Sequence, residues 1–386
     1  MYLYSQQQVH MMEIISTSKT ELLNFIVPSQ AMCNGKSKEI YGYLLFTSCD
    51  GVLTVTGSDG NQTMTKQLEM NNETYATNDG QLCVEGEKLV RVLRSMAENK
   101  AVNISMLKDK TDKALIRCGR SRIQLQTIAA SKYPQVEEIG DEAQSVSLAT
   151  STLLTVLKQT VYAVAKKDVR YYLMAVNLKC ENGYLTATST DGHRLVTQTI
   201  EVAASDNVVD MELLLPANAV NTLLKISGEG ELSIRYDDNK VEFACGDGLY
   251  RTQLVDGRFP DIKRVIPTEA DCLNTFRAEK GAIMEVINRL TSAVDSDHKS
   301  GLSIESESSD TVRCAVTSNT DAESEDWIDC TFTGEPLKVK FNPRYIEDAT
   351  RHMPSDDVVL HFDRDGKMLM RPVGDFNISA VVMPQR

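Results

Sequence analysis

The chain of 386 residues repeats one order of helices and strands three times, and this repeat limits its possible folds more than any other feature. A helical pattern around Leu22 recurs around Leu153 and Ile283, at spacings of 131 and 130 residues. A period of this length is too long for a solenoid unit and is typical of a whole small domain. The sequence therefore predicts three copies of one domain.

Other landmarks recur in the same order. A strand pattern ends at an Asp-Gly turn in residues 58–60 and 190–192, and less clearly at residues 319–321. Each copy closes with an alternating strand and a proline. These prolines are 126 and 124 residues apart: Pro134, Pro260 and Pro384. Because each copy reads helix, strands, helix, strands, each domain is predicted to be α+β, with two helices packed on antiparallel sheet.

The repeat also places the domain borders. Residues 137–142 and 267–271 are short acidic linkers, unlike flexible Gly/Ser tethers, so the domains are expected to be held in a fixed relation. The predicted division is an N-terminal extension at residues 1–11 and domains at residues 12–140, 141–267 and 268–386.

The first predicted helix opens with the sequence Ser18-Lys19-Thr20-Glu21. This pattern predicts a capping box, in which the Ser18 hydroxyl accepts a helical amide and the Glu21 side chain reaches back to the helix start.

Composition argues against several classes of protein. The sequence has no run of about 18 apolar residues, the length that spans a membrane, and its first residues do not resemble a secretory signal. The nine cysteines include no C-x-x-C pair, so we expect reduced thiols in the cytoplasm and no zinc site. The sequence has no G-x-S-x-G elbow, no Walker A sequence and no H-E-x-x-H motif, which argues against an enzyme.

The positive charge is concentrated on the predicted helices, although the net charge is −13. Acidic residues crowd elsewhere, as in residues 305–307 and 321–326. If the three copies form an arc, the helices would present a positive inner surface to phosphates. The simpler interpretation is that these residues are solvated helix faces.

Several short motifs follow one another in a fixed order and are densest in the middle copy. They occupy residues 167–173, 190–195, 254–261 and 381–384, with support from residues 119–122 and 341–345. Together they resemble the bacterial DNA polymerase III β sliding clamp family, from about Met12 to Arg386.

This resemblance implies a fold of three DNA-clamp domains and a ring of two subunits, closed head to tail around duplex DNA. It implies a processivity factor with no catalytic role, no 3'-5' exonuclease activity and no cofactor. DNA contacts would be independent of sequence, because phosphates rather than base edges are touched. The implied partners are duplex DNA, a replicative DNA polymerase, a clamp loader complex, other proteins with a clamp-binding motif and a second copy of the chain, but no membrane.

The resemblance also assigns three sets of site residues. The partner-peptide pocket maps to Leu173, Thr190, Gly192, His193, Arg194, Leu195, Pro260, Arg264, Val265, Val381, Val382, Met383 and Pro384. The DNA-facing positions are Lys36, Lys88, Arg94, Lys166, Lys167, Tyr171 and Tyr172. The dimer interface maps to Arg120, Arg122, Ile123, Leu125, Ala293, Val294, Glu323, Glu325 and Asp326.

The sequence departs from the family pattern in two places. Gln385 stands where an apolar residue is usual, and no further leucine follows Arg386, which predicts an altered affinity for partner peptides. Ala293 and Val294 are smaller than the usual residues, which predicts a weaker dimer, since each lost buried methylene removes about 1 kcal/mol.

Two other classes of function compete with a clamp. Asp191, His193 and a serine suggest a hydrolase, although the same Asp-Gly turn recurs at residues 59–60 without a histidine, which favours a structural turn. A scaffold of the same fold that binds proteins but never DNA is the second alternative.

Overall fold

A computed structural model describes residues 12–107, 110–140, 142–202, 210–225, 230–292, 301–317, 323–374 and 377–385. The chain divides into two compact units. Unit 1 comprises Met1–Ser147 and Gly228–Gln253, and unit 2 comprises Leu148–Ser227 and Leu254–Arg386.

The secondary structure alternates between helices and groups of strands. The helices are α1 (Lys19–Gln30), α2 (Gly86–Ser95), α3 (Thr150–Thr160), α4 (Ala217–Leu223), α5 (Lys280–Ser292) and α6 (Pro343–His352). The strands before α4 are β1 (Glu13–Ser16), β2 (Tyr43–Cys49), β3 (Val52–Ser58), β4 (Gln62–Glu69), β5 (Thr74–Ala76), β6 (Gly80–Glu85), β7 (Val102–Leu107), β8 (Lys110–Cys118), β9 (Ser121–Ile128), β10 (Gln144–Ala149), β11 (Ala175–Glu181), β12 (Tyr184–Thr190), β13 (Arg194–Glu201) and β14 (Met211–Pro216). The strands after α4 are β15 (Glu231–Tyr236), β16 (Lys240–Cys245), β17 (Gly248–Gln253), β18 (Cys272–Glu279), β19 (Gly301–Ser306), β20 (Thr311–Thr317), β21 (Glu323–Asp329), β22 (Thr331–Thr333), β23 (Lys338–Phe341), β24 (Asp357–Asp363), β25 (Met368–Pro372) and β26 (Ile378–Val382).

Unit 1 is built on one antiparallel sheet that combines strands of the first and second copies. Its order is β15-β16-β17-β4-β3-β2-β6-β9-β8-β7-β1-β5, and β10 lies beside β15. The junction between the copies is the pair β17 and β4, in which Thr252 lies opposite Gln62. Helices α1 and α2 bury Leu22, Ile26 and Leu89 in the core against this sheet.

Unit 2 repeats this arrangement between the second and third copies. Its larger sheet has the order β14-β11-β12-β13-β26-β25-β24-β18-β22, and a second sheet has the order β21-β20-β19-β23. The junction is the pair β13 and β26, in which Arg194 lies opposite Val382. Helices α5 and α6 bury Ile283, Ile287 and Ile346 in the core. The predicted α+β architecture with antiparallel sheets is therefore confirmed.

The predicted capping box at α1 is only half formed. The Ser18 hydroxyl accepts the amide of Glu21 at 3.2 Å, as expected, but the Ser18 amide donates to the Ser16 hydroxyl at 3.3 Å. The Glu21 carboxylate accepts instead from the Asn71 amide group at 3.1 Å and from the Thr74 hydroxyl. The prediction that Glu21 reaches back was wrong because two donors far along the chain bind its carboxylate.

Two of the predicted features, the extension at residues 1–11 and the third turn at residues 319–321, fall outside the described residues. Among the helices that the structure describes, none is long and apolar enough to cross a membrane.

Candidate functional site

The central feature of the candidate site is the turn between β12 and β13. One oxygen of Asp191 accepts the amides of His193 and Arg194, at 2.9 and 3.0 Å. The Thr190 hydroxyl donates to the carbonyl of Arg194 at 2.6 Å and accepts the amide of Gly192 at 3.1 Å. Gly192 adopts a φ of +88°, a conformation that favours glycine. Side chains thus bond most of the turn's backbone and fix its shape.

The apolar floor of the site lies beside this turn. Leu195 on β13 is opposite Val381 on β26, and both are buried with Leu369 of β25. The chain continues from β26 along the turn, where the Met383 amide donates to the carbonyl of His193 at 2.9 Å. The strand pairing therefore holds Met383 over the edge of the floor.

A cavity of about 220 Å³ opens above this floor. Nine of the 13 predicted pocket residues line it: Leu173, Thr190, Gly192, Arg194, Leu195, Pro260, Val265, Val381 and Met383. The sequence comparison missed four further lining residues: Arg170, Tyr172, Asp261 and Ile262. All four lie within or directly beside the motifs at residues 167–173 and 254–261, so the motifs themselves pointed to them.

The structure places the other four predicted pocket residues outside the cavity lining. The side chain of Val382 is buried in the core of unit 2, because it points to the opposite sheet face from Val381. His193 and Arg264 are exposed, and the His193 ring is stacked on Tyr345 with centroids 6.4 Å apart. Pro384 lies against Gly366.

Arg194 forms one wall of the cavity and is only 10% exposed. Its guanidinium group donates to Asp191 at 3.1 Å, to Asp348 at 2.6 Å and to the carbonyl of Tyr162 at 3.0 Å. It also lies over the rings of Tyr345 and Tyr162, 4.6 and 5.6 Å from their centroids. Burial raises the pKa of both tyrosine hydroxyls, so both rings stay neutral around the guanidinium.

Arg170 forms a second polar wall close to Gly192. It donates to both oxygens of Asp168, at 3.0 and 2.9 Å. These side-chain hydrogen bonds hold the pKa of Asp168 at about 2, well below its usual range. The cavity therefore combines an apolar floor with cationic walls already bonded to carboxylates.

Asp191 and His193 do not form the acid–base pair that a hydrolase would need. One Asp191 oxygen bonds the backbone amides of His193 and Arg194, and the other bonds the Arg194 guanidinium. The carboxylate thus shapes the turn and contacts the backbone, rather than the ring, of His193.

The predicted DNA-facing residues fall in both units. Lys36 is exposed in the turns after α1, and Lys88 and Arg94 are exposed on α2, where Lys88 pairs with Glu85 at 2.9 Å. Lys166, Lys167 and Tyr171 are exposed in the segment after α3. Tyr172 differs, because it is half-buried in the wall of the cavity and packs near Phe259.

The predicted dimer interface involves strands β9 and β21. Residues 121–126 of β9 pair with β8, and residues 127 and 128 pair with β6. Strand β21 is an edge of its four-stranded sheet.

The side chains of the predicted interface have different environments. Arg120 and Arg122 are exposed and Ile123 is half-buried, whereas Leu125 is buried in the core of unit 1 and does not lie on a surface. Two acids already have partners within the chain, since Glu325 pairs with Arg313 at 2.6 Å and Asp326 with Arg289 at 2.7 Å. Ala293, Val294 and the side chain of Glu323 lie outside the described residues.

Models of three domains of one family match nearly the whole chain. They are the N-terminal, central and C-terminal domains of the DNA polymerase III beta subunit, matched by residues 15–137, 147–261 and 263–386. The beta sliding clamp of Proteus mirabilis is 27% identical over 354 residues, which cover 90% of this chain and 92% of that protein.

Solved structures agree on the fold. A Pseudomonas aeruginosa sliding clamp bound to griselimycin matches with a TM-score of 0.88 at 22% identity, covering 97% of this chain and 100% of that one. A Bacillus subtilis clamp matches with a TM-score of 0.89 at 20% identity, covering 97% and 99%. The chain therefore belongs to the DNA polymerase III beta subunit family, the sliding clamps, which are non-catalytic processivity factors in DNA replication.

Proposed function

We propose that two copies of this chain close into a ring around duplex DNA and tether a replicative polymerase through the cavity beside the Asp191–Gly192 turn. Sliding clamps bind DNA and a polymerase, and their rings are typically homodimers. The observation that carries the proposal is the 220 Å³ cavity, with its apolar floor and its fixed polar walls. A short linear peptide suits such a site, because apolar side chains fill the floor while polar groups set the direction of the chain.

We propose griselimycin as the probe of this cavity, because a solved P. aeruginosa clamp is bound to it. We expect calorimetry to show that griselimycin binds the wild-type protein and that Met383→Ala weakens binding. Leu273→Ala is the control, because Leu273 is an exposed apolar residue that does not line the cavity. Equal affinity in the wild type and in Met383→Ala would contradict this location of the site.

Ring closure is proposed to join the open stretch of β9 to the β21 edge of a second copy. Two unpaired strand edges can form a shared antiparallel ladder, which is a common mode of association. Arg120 and Arg122 of one copy would then approach Glu325 and Asp326 of the other. Each of these carboxylates would also keep its ion pair within its own chain, Glu325 with Arg313 and Asp326 with Arg289. The contact joins different strands of the two copies, β9 of one and β21 of the other, and is therefore a head-to-tail contact.

Light scattering over a wide concentration range tests this ring. We expect a mass near twice 42.9 kDa, and we expect Arg122→Glu to shift the dimer toward monomer. Lys132→Glu makes the same charge change at an exposed residue four positions after the end of β9 and serves as the control. Trp327 is the single tryptophan, lies on β21 and is 43% exposed, so its emission should shift on dimerisation. A monomer at every concentration would favour the scaffold alternative.

Contacts to DNA are proposed to involve phosphates and exposed cations: Lys36, Lys88, Arg94, Lys166, Lys167 and, beside them, Tyr171. Such contacts are sequence-independent and weaken with salt, which suits sliding. A clamp loader would have to open the ring on circular DNA. Retention on circular DNA, with loss after the circle is cut, distinguishes an encircling ring from a scaffold that never binds DNA.

We place the three clamp domains at residues 12–140, 141–267 and 268–386, after an extension at residues 1–11. We also infer a cytoplasmic location, in keeping with the nine cysteines of the sequence, which include no C-x-x-C pair.

A further inference from the structure

Arg194 is the buried charge on which the shape of the peptide cavity depends. A buried guanidinium group is costly unless its N–H groups are paired, so its partners decide where it lies. Asp191 supplies one oxygen at 3.1 Å, but its other oxygen is already bonded to two backbone amides. Asp348 supplies the shortest contact, 2.6 Å to a terminal nitrogen of Arg194.

Asp348 does not line the cavity and lies 154 residues from Arg194 along the chain. It is on α6, which also carries Tyr345, the ring closest to the guanidinium. The same helix is bound to the Tyr162 side of the network, because His352 stacks on Tyr162 with centroids 4.3 Å apart. Helix α6 thus supplies one of the two carboxylates and one of the two rings that contact Arg194.

The charges show what this network does for the site. One guanidinium group meets two carboxylates, so Arg194 offers little net positive charge to a ligand. Its planar group lies over the rings of Tyr345 and Tyr162 and forms a flat wall. Its role toward a peptide is therefore to shape the cavity and not to bind an anion.

We propose that Asp348 is a positioning residue of the partner site, acting through Arg194. This inference rests on the proposed function of the cavity. Without the Asp348 carboxylate, Arg194 would keep one shared carboxylate and would turn toward solvent or toward the cavity. Either movement changes the wall against which a ligand packs.

Griselimycin affinity, measured by calorimetry on the full chain, tests the proposal. Asp348→Asn should weaken binding about tenfold, because it removes one of two charged partners of a buried cation. Asp348→Glu keeps the carboxylate and should restore most of the affinity. Glu347→Gln is the matched control, since it removes a surface ion pair to Arg351 on the same helix and should leave affinity unchanged.

A double-mutant cycle separates positioning from a general structural role. In an Arg194→Met background, Asp348→Asn should cause no further loss, because its effect passes through Arg194. Arg194→Lys removes the planar guanidinium group from the same hydrogen-bond network and should weaken binding to a similar extent. This variant provides a second test if Asp348→Asn folds poorly. Wild-type affinity in both Asp348→Asn and Arg194→Lys, or a full tenfold loss in the Arg194→Met background, would overturn the proposal. Failure of the wild type to bind griselimycin would instead overturn the proposed site itself, and with it this role of Asp348.

Discussion

The turns at Asp59-Gly60 and Asp191-Gly192 have the same hydrogen-bond pattern but belong to different cavities. Asp59 accepts two amides at 2.8 Å each, as Asp191 does at 2.9 and 3.0 Å. Ser58 takes the place of Thr190, and each hydroxyl accepts the glycine amide at 3.1 Å. The two turns are therefore built identically at the level of the backbone.

The strands around the turns match as well. The Gln253 amide donates to the carbonyl of Asn61 at 3.2 Å, and the Met383 amide donates to the carbonyl of His193 at 2.9 Å. In both places a final strand of the following copy pairs with the strand after the turn. Gln253 and Met383 are thus equivalent positions in two copies of one frame.

The side chains on this frame are different in kind. The cavity of unit 1 measures about 260 Å³ and that of unit 2 about 220 Å³, so their sizes are similar. Equivalent lining positions in units 1 and 2 are Tyr41 and Leu173, Thr63 and Leu195, Arg251 and Val381, and Gln253 and Met383. The comparison shows that the repeated backbone provides a cavity at each junction, and that four apolar positions distinguish the proposed peptide site.

The largest loss of griselimycin affinity is expected when a residue of the apolar floor in unit 2 is replaced by its equivalent from unit 1. Leu195→Thr copies the residue at position 63, and Leu195 is only 4% exposed. We expect about 2 kcal/mol of lost binding energy, or roughly 30-fold weaker griselimycin binding in calorimetry, because buried methyl groups are removed and a hydroxyl enters the floor. Thr63→Leu is the matched control and should leave the affinity unchanged. Wild-type affinity in Leu195→Thr would contradict the conclusion that the apolar positions of unit 2 distinguish its cavity from that of unit 1.

A smaller effect is expected from the turn carboxylates. Asp191→Asn should destabilise unit 2 by about 2 kcal/mol, because an amide nitrogen would then face the Arg194 guanidinium. Asp59→Asn should cost unit 1 less than about 1 kcal/mol, because the second oxygen of Asp59 has a weaker contact, 3.4 Å to the Gln62 amide group, where Asp191 bonds a guanidinium group.

Urea unfolding distinguishes the two variants. Trp327 lies in unit 2, so tryptophan fluorescence follows that unit while circular dichroism follows both. Asp191→Asn should lower the fluorescence midpoint, and Asp59→Asn should leave it in place. Equal costs for the two substitutions would show that the contact to Arg194 adds nothing to the turn.

Local patterns explain what could be predicted from the sequence. The repeat, the antiparallel sheets and the Asp-Gly turns depend on alternation and on hydrogen bonds within four residues, which the sequence records directly. The sequence did not reveal that the Val382 side chain points away from that of Val381, because a continuous apolar run conceals which residues share a sheet face. Leu125 was placed at the dimer interface by the family resemblance, whereas the structure buries its side chain in the core of unit 1.

Contacts between distant parts of the chain explain what was missed. Glu21 bonds residues 50 and 53 positions away, and Arg194 bonds Asp348 at a separation of 154. The sequence around Glu21 and Asp348 does not show that either carboxylate has a distant partner, since an acid on a helix is usually a solvated surface residue. The polar network behind the cavity therefore became visible only in three dimensions.

The smallest expected difference concerns the turn glycines. Gly60 and Gly192 have φ values of +97° and +88°, so alanine at either position should cost about 1 kcal/mol. The two glycines differ in the space available for a side chain. A Cβ on Gly60 would lie 2.8 Å from the Tyr41 hydroxyl, whereas one on Gly192 would lie 3.4 Å from Arg170. Gly60→Ala should therefore cost more in thermal melts, and adding Tyr41→Leu, which copies the residue of the other cavity, should remove the excess. If Gly60→Ala still cost more than Gly192→Ala after removal of the tyrosine ring, the backbones of the two turns would differ. That result would contradict the conclusion that the two turns are built identically at the level of the backbone.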